Sequence, residues 1–222
     1  MIRHFEEEIQ SLKEKVLYMG SIVEKMISIA ITALTERSNE GTSEFMSLEE
    51  KVNKLQMEID DIAMKIIALH QPAANDLRFL IATMKINSDL ERIGDQIVNI
   101  TQTLEFYLQN PVITLPPQIM SMARIAKSMV KDSLDAFVTA NVELAQSILR
   151  RDDEVDIEKR DAFTGLLTEM TGSPDRIQPG VDLILISRNL ERIADHATNI
   201  AEDVVYMAMG KDIRHPLLKE DS

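Results

Sequence analysis

The 222-residue chain contains no cysteine and no tryptophan, and it holds only seven glycines and seven prolines. Without cysteine there can be no disulfide scaffold, no thiolate metal site and no cysteine nucleophile, and a reducing compartment fits. Aromatic residues make up 4% of the chain against 45% hydrophobic residues, and 13 residues are methionine, so the core must be aliphatic. That composition favours helices over sheets. Basic charge is also short: 24 Lys and Arg against 37 Asp and Glu leave −13, with no local basic stripe. A nucleic-acid binder needs the opposite sign, so none is expected. No apolar run approaches the ~20 residues of a spanning helix, the longest weakly polar stretch being Met26 to Leu34. No membrane insertion is expected. The N-terminal Met1-Ile2-Arg3-His4-Phe5 followed by Glu6, Glu7 and Glu8 lacks the apolar segment and small-residue cleavage site of a secretory signal, so a cytoplasmic location is expected. The few glycines form neither a Walker A loop nor a dinucleotide fingerprint, and there is no Gly-x-Ser-x-Gly; the chain reads as a non-enzyme.

What the chain does contain is periodicity. Apolar residues fall at Ile9, Leu12, Val16, Met19, Val23, Met26, Ala30 and Ala33, alternating steps of three and four that only a helix gathers on one face. The same pattern recurs at Leu48, Val52, Leu55, Ile59, Ile62, Ile66 and Leu69, and again at Leu90, Ile93, Ile97, Ile100, Leu104 and Tyr107. Ser38-Asn39-Glu40-Gly41-Thr42-Ser43 supplies a stop and N-cap candidates between the first two helices, and Gln71-Pro72 with Asn75-Asp76 separates the next two. Short connections make neighbours antiparallel. Pro111, Pro116 and Pro117 mark a mid-chain divider. Helices are expected beyond it from about Gln118 to Thr139, from Asn141 to Met170 and, after a Gly172 to Gly180 turn carrying Pro174 and Pro179, on to about Met209.

An internal repeat supports this division. Leu90-Glu91-Arg92-Ile93-Gly94-Asp95 with Asn99-Ile100 aligns with Leu190-Glu191-Arg192-Ile193-Ala194-Asp195 with Asn199-Ile200 at an offset of 100, and Glu49-Glu50-Lys51-Val52-Asn53 aligns with Asp152-Asp153-Glu154-Val155-Asp156 at 103. The expected fold is all-α: two tandem, sequence-related three-helix bundles, six long antiparallel helices in all, divided as residues 1–110 and 111–222.

A core needs the repeated Leu and Ile but not the repeated carboxylates. Residues four apart stack on one helix face, so Glu91 with Asp95, and Glu191 with Asp195, each aim two carboxylates at one region. Glu49 with Asn53, and Asp152 with Asp156, offer matching pairs on the preceding helices. Glu49 lies 23 residues before Pro72 and Asp95 lies 23 after it; Asp156 lies 20 before Arg176 and Asp195 lies 19 after it. Each hairpin thus brings its four oxygen-bearing side chains to one height, flanking the core-facing Ile93 and Ile97 or their counterparts. Surface clusters of hard oxygen donors suit metal ions such as Fe, Mn or Mg better than Zn. One Glu-x-x-x-Asp on a solvated face is ordinarily surface charge or a salt-bridge partner; duplication at matching heights favours metal binding. Arg92 and Arg192 serve equally well as clamps on a neighbouring carboxylate or as contacts for an anion. His196 adjoins Asp195, whereas His70 and His215 show no partner in the pattern, and a solvated or satisfied role is expected for each histidine.

The two Leu-Glu-Arg-Ile-(Gly/Ala)-Asp copies, the Gln71-Pro72 to Asp76-Leu77-Arg78 turn and the Glu49 and Asp152 motifs together resemble the PhoU family over essentially the whole chain. The resemblance implies paired three-helix bundles that hold iron or other metals on surface motifs Glu/Asp-x-x-x-Asp. It also implies a negative regulator of the phosphate-starvation response that contacts the ATPase subunit of the phosphate ABC transporter and a phosphate sensor histidine kinase. Ala194 departs from the glycine at Gly94, and Asn53 stands where a carboxylate would be the stronger ligand, which implies weaker binding at the first site. Leu- and Met-rich bundle faces suit a homodimer. The competing reading is a metal-dependent oxidase or hydrolase using the carboxylate clusters.

Overall fold

A computed structural model describes residues 2–38 and 44–214. Among those residues it contains six long helices: α1 (Ile2–Glu36), α2 (Phe45–His70), α3 (Ala74–Gln109), α4 (Pro117–Thr139), α5 (Val142–Gly172) and α6 (Ile177–Met209), with a 3-10 turn at Pro174–Arg176 before α6. No strand occurs among the described residues. The Ser38 to Ser43 cap signals lie mostly outside them.

Local chemistry sets the boundaries. α2 stops where Gln71 turns left-handed, at φ 47°, and its N–H closes on the Ile67 carbonyl before Pro72. Pro117 opens α4 at a position with no helical N–H bond to lose. Asn141 caps α5 by accepting a hydrogen bond from the Leu144 amide at 3.0 Å. Gly210, at φ +67°, ends α6. One boundary corrects the sequence reading: α6 begins at Ile177, so Pro179 and Gly180 lie inside its first turn and are buried. Proline is tolerated there because the first four helical amides have no intrahelical acceptor.

Within each half the helices form an antiparallel three-helix bundle, and the halves join through α3 against α6 and α1 against α4, leaving α2 and α5 on the outer flanks. The core is one continuous, mainly aliphatic cluster running through both halves, with Phe45, Tyr107 and Phe137 as its buried aromatics. The Leu90 to Tyr107 stripe of α3 is buried throughout. On α2 the buried face passes through Ile59, Ala63 and Ile66, leaving Ile62 half-buried and Leu69 75% exposed, so the step pattern overran the real face at its end. By length and apolarity alone α1 could cross a membrane. The residues that make it so, Leu12, Val16, Met19, Val23 and Met26, are buried against the other helices. The halves meet closely at Gly20 of α1, where an added Cβ would collide with Leu134 Cδ1 of α4.

Candidate functional site

Both carboxylate sets lie in outer grooves, one between α2 and α3 and the other between α5 and α6. In the first, a Cβ on Gly94 would meet Val52 Cγ1 at 3.5 Å, so Val52 faces Gly94, with Glu49 three residues before Val52 on α2 and Asp95 next to Gly94 on α3. Glu49, Glu91 and Asp95 are half-buried and Asn53 is exposed. Burial raises the Glu91 carboxyl above its usual range, the Asp95 charge adds to the rise, and the nearby Arg92 opposes it.

The second groove carries the stronger field. Burial and then the charges of Asp195, Asp156, Asp153 and Glu191 push Asp152 up to about 6. Asp195 is raised first by the protein that shields one side of it, although its outer edge is exposed, and then by Glu191. The four expected residues therefore act on one another electrostatically. Lys159 of α5 answers part of that repulsion: its Nζ donates to Glu191 at 2.6 Å. Glu91 and Glu191 are equally covered, at 21% side-chain exposure, as a repeat demands.

Sequence reasoning missed Lys159, because the residue at its place in the first half is Gln56 and nothing in the motif requires a cation there. Neither arginine alternative takes the form of a clamp across the helices: Arg92 lies 3.8 Å from its own neighbour Glu91, and Arg192 is exposed. His196 turns away from Asp195; its Nδ1 stands 2.8 Å from Asp89 of α3, which Asn199 also contacts at 3.2 Å. His70 gains a partner that the pattern did not show, Glu8 at 2.6 Å. His215 lies outside the described residues.

The donor chemistry fits a hard cation, with all-oxygen side chains, mutual repulsion and partial shielding from water. Among the described residues no three acidic or imidazole side chains already converge on one point, so ligation would require the carboxylates to turn inward.

An all-α chain of two repeated three-helix bundles, each with an acidic outer groove, defines a class of tandem-repeat helical-bundle proteins. The PhoU domain family model matches residues 16–104 and again 119–204, one match in each half. A phosphate-specific transport system accessory protein PhoU homolog from Pseudomonas putida is 34% identical over 98% of this chain and 85% of that protein. Its counterpart from Caulobacter vibrioides is 36% identical over 96% and 93%. The crystal structure of PhoU from Pseudomonas aeruginosa superposes with a TM-score of 0.90 at 32% identity, covering 93% of this chain and 100% of that one. The phosphate transport system regulatory protein PhoU from Streptococcus pneumoniae gives 0.88 at 28% identity, over 95% and 100%. The chain belongs to the PhoU family.

Proposed function

We propose that this protein is an accessory subunit of a phosphate-specific transport system, acting in the cytoplasm as a metal-binding adaptor between the transporter's ATPase subunit and a phosphate sensor histidine kinase. It restrains the phosphate-starvation response when phosphate is plentiful. What carries the reading is the pair of equivalent acidic grooves in a chain related to such proteins over nearly its whole length.

Glu49, Asn53, Glu91 and Asp95 would hold one cation, and Asp152, Asp156, Glu191 and Asp195 another. Bound Fe, Mn or Mg supplies the positive charge that the carboxylates lack. The protein's own part is to present faces to partners. α2 exposes Met46, Met57 and Met64, at 72%, 65% and 57%, an adaptable apolar strip suited to a partner or to a second copy in a homodimer. Affinity capture from cells grown in high phosphate should recover the transporter ATPase or the sensor kinase, and elemental analysis of protein purified without chelator should find metal that falls in Glu191→Ala. Unchanged phosphate uptake and unchanged phosphatase expression in a deletion strain would overturn the regulatory role.

A further inference from the structure

The repeat that makes the two halves alike breaks at one place. Below the second carboxylate cluster, α5 and α6 enclose a groove of about 460 Å³ lined by Lys159, Arg160, Phe163, Ser187 and Arg188, with Asp156 at the end that borders the carboxylates. The offsets of 103 and 100 place Gln56, Met57, Asp60, Asn87 and Ser88 at the matching positions of the first half. There Asn87 Nδ2 donates to Asp60 Oδ1 and to the main-chain carbonyl of Gln56, both at 2.9 Å. Three cations thus stand in the second half where the first half has none, in a chain whose net charge is −13. Arg160 and Arg188 are exposed and make no ion pair among the described residues, and Phe163 is 45% exposed beside them. Two unengaged guanidinium forks with a half-covered ring are the equipment for a phosphate group, which accepts from several donors at once.

Lys159 belongs to both places. It lines this groove, yet its ammonium is held by Glu191 at 2.6 Å. We propose that the α5–α6 groove binds a phosphate group on Arg160 and Arg188, and that a divalent cation taken up by the adjoining carboxylates releases Lys159 from Glu191 to become the third donor. The cation also neutralises Asp156, the carboxylate that lines the groove and would repel the anion. Cation and phosphate therefore strengthen each other's binding, and by linkage the factor is the same in both directions. The coupling rests on the metal reading above; the anion site does not.

Equilibrium dialysis of labelled inorganic phosphate against the full chain, with excess chelator or with two equivalents of Mn²⁺, tests both parts. Phosphate should bind in both conditions and at least about five-fold more tightly with Mn²⁺. The double variant Arg160→Gln/Arg188→Gln should lose binding by ten-fold or more while keeping its helical signal, since both side chains are exposed. Lys159→Gln should keep the weaker, cation-free binding and lose most of the Mn²⁺ enhancement. Adenosine monophosphate shares the phosphate chemistry. Displacement of the label better than by phosphate itself, with that advantage lost in Phe163→Ala, would assign a nucleotide as the source, and equal displacement would assign inorganic phosphate. Phosphate binding that is absent in both conditions, or indifferent to the two arginines, overturns the site. If Mn²⁺ uptake followed by its electron paramagnetic resonance is nil while phosphate still depends on the arginines, the coupling and the metal reading fall and the anion site stands. If Mn²⁺ binds but phosphate does not, the metal reading survives alone.

Discussion

Asp152 shows how a single side chain reports on the unneutralised state of its groove. Its carboxyl stands at about 6 in the folded chain against an ordinary 3.8, so the metal-free native state holds a proton that the unfolded chain releases. A raised folded value stabilises the protein below the unfolded value and loses that contribution as pH rises through about 6. Metal-free protein should therefore melt at lower temperature at pH 7 than at pH 5. The part owed to Asp152 is on the order of 1 kcal/mol once solvent screening is allowed for. Asp152→Asn should remove that part of the slope and raise the melting temperature at neutral pH in chelator, and it should also lose part of the stabilisation that Mn²⁺ gives the parent chain. A pH profile identical in the variant would show that the carboxylates do not confront one another. Glycine gives a second test at this scale. Gly94 is helical and has room for a Cβ at ordinary contact distance from Val52, and its repeat partner is Ala194, so Gly94→Ala should stabilise by about 0.5–1 kcal/mol in thermal melts. Gly20→Ala would drive a methyl into Leu134 and should cost about 1–3 kcal/mol by the same measurement.

Helices were the most legible level of the sequence, and the reason is geometric. Where one stripe faces one neighbour throughout, as from Leu90 to Tyr107 on α3, steps of three and four read the buried face directly. On α2 the buried face runs through Ile59, Ala63 and Ile66, and the pattern, which carries no knowledge of neighbours, includes the half-buried Ile62 and runs on to the exposed Leu69. Pro179 reads as a turn residue in the sequence, because composition marks breakers without saying on which side of the helix start they fall, yet it lies inside α6. The carboxylate sets were legible because they are repeated, whereas the Lys159 ion pair was not, since it depends on side-chain reach across α5 and α6 at a position the repeat does not preserve. Caps are intermediate: Asn141 lies one residue before α5, and its side chain accepts from the Leu144 amide. Asn141→Ala should cost about 1 kcal/mol, seen as a lower denaturant midpoint with an unchanged slope.

At the scale of the whole molecule, periodicity says that a face is buried but not what buries it, and so the union of the two bundles was invisible in the sequence. The seam is apolar and tightly closed. Ile27, Ile31 and Leu34 of α1, Ile97 and Ile100 of α3, and Ile186, Leu190 and Ile193 of α6 leave a gap of only about 10 Å³, at the lower edge of what one water molecule needs. Polar contacts pin its rim, with Lys85 of α3 on Asp203 of α6 at 2.9 Å and Asp89 on His196 at 2.8 Å, while Phe79 of α3 stacks on Phe137 of α4 at 5.7 Å. Halves joined in this way should unfold as one unit although each carries its own copy of the repeat. Leu190→Ala removes side-chain volume from the seam and should cost about 2–5 kcal/mol. Native-state hydrogen exchange locates that loss. In a single cooperative unit, slowly exchanging amides of α1 and of α5 lose the same protection, even though α1 lies in the other half. Independent bundles would confine the loss to α4, α5 and α6. A shared loss would also mean that a cation bound at one outer groove stabilises the helices that frame the other, because whatever binds only the native state shifts the whole cooperative unit.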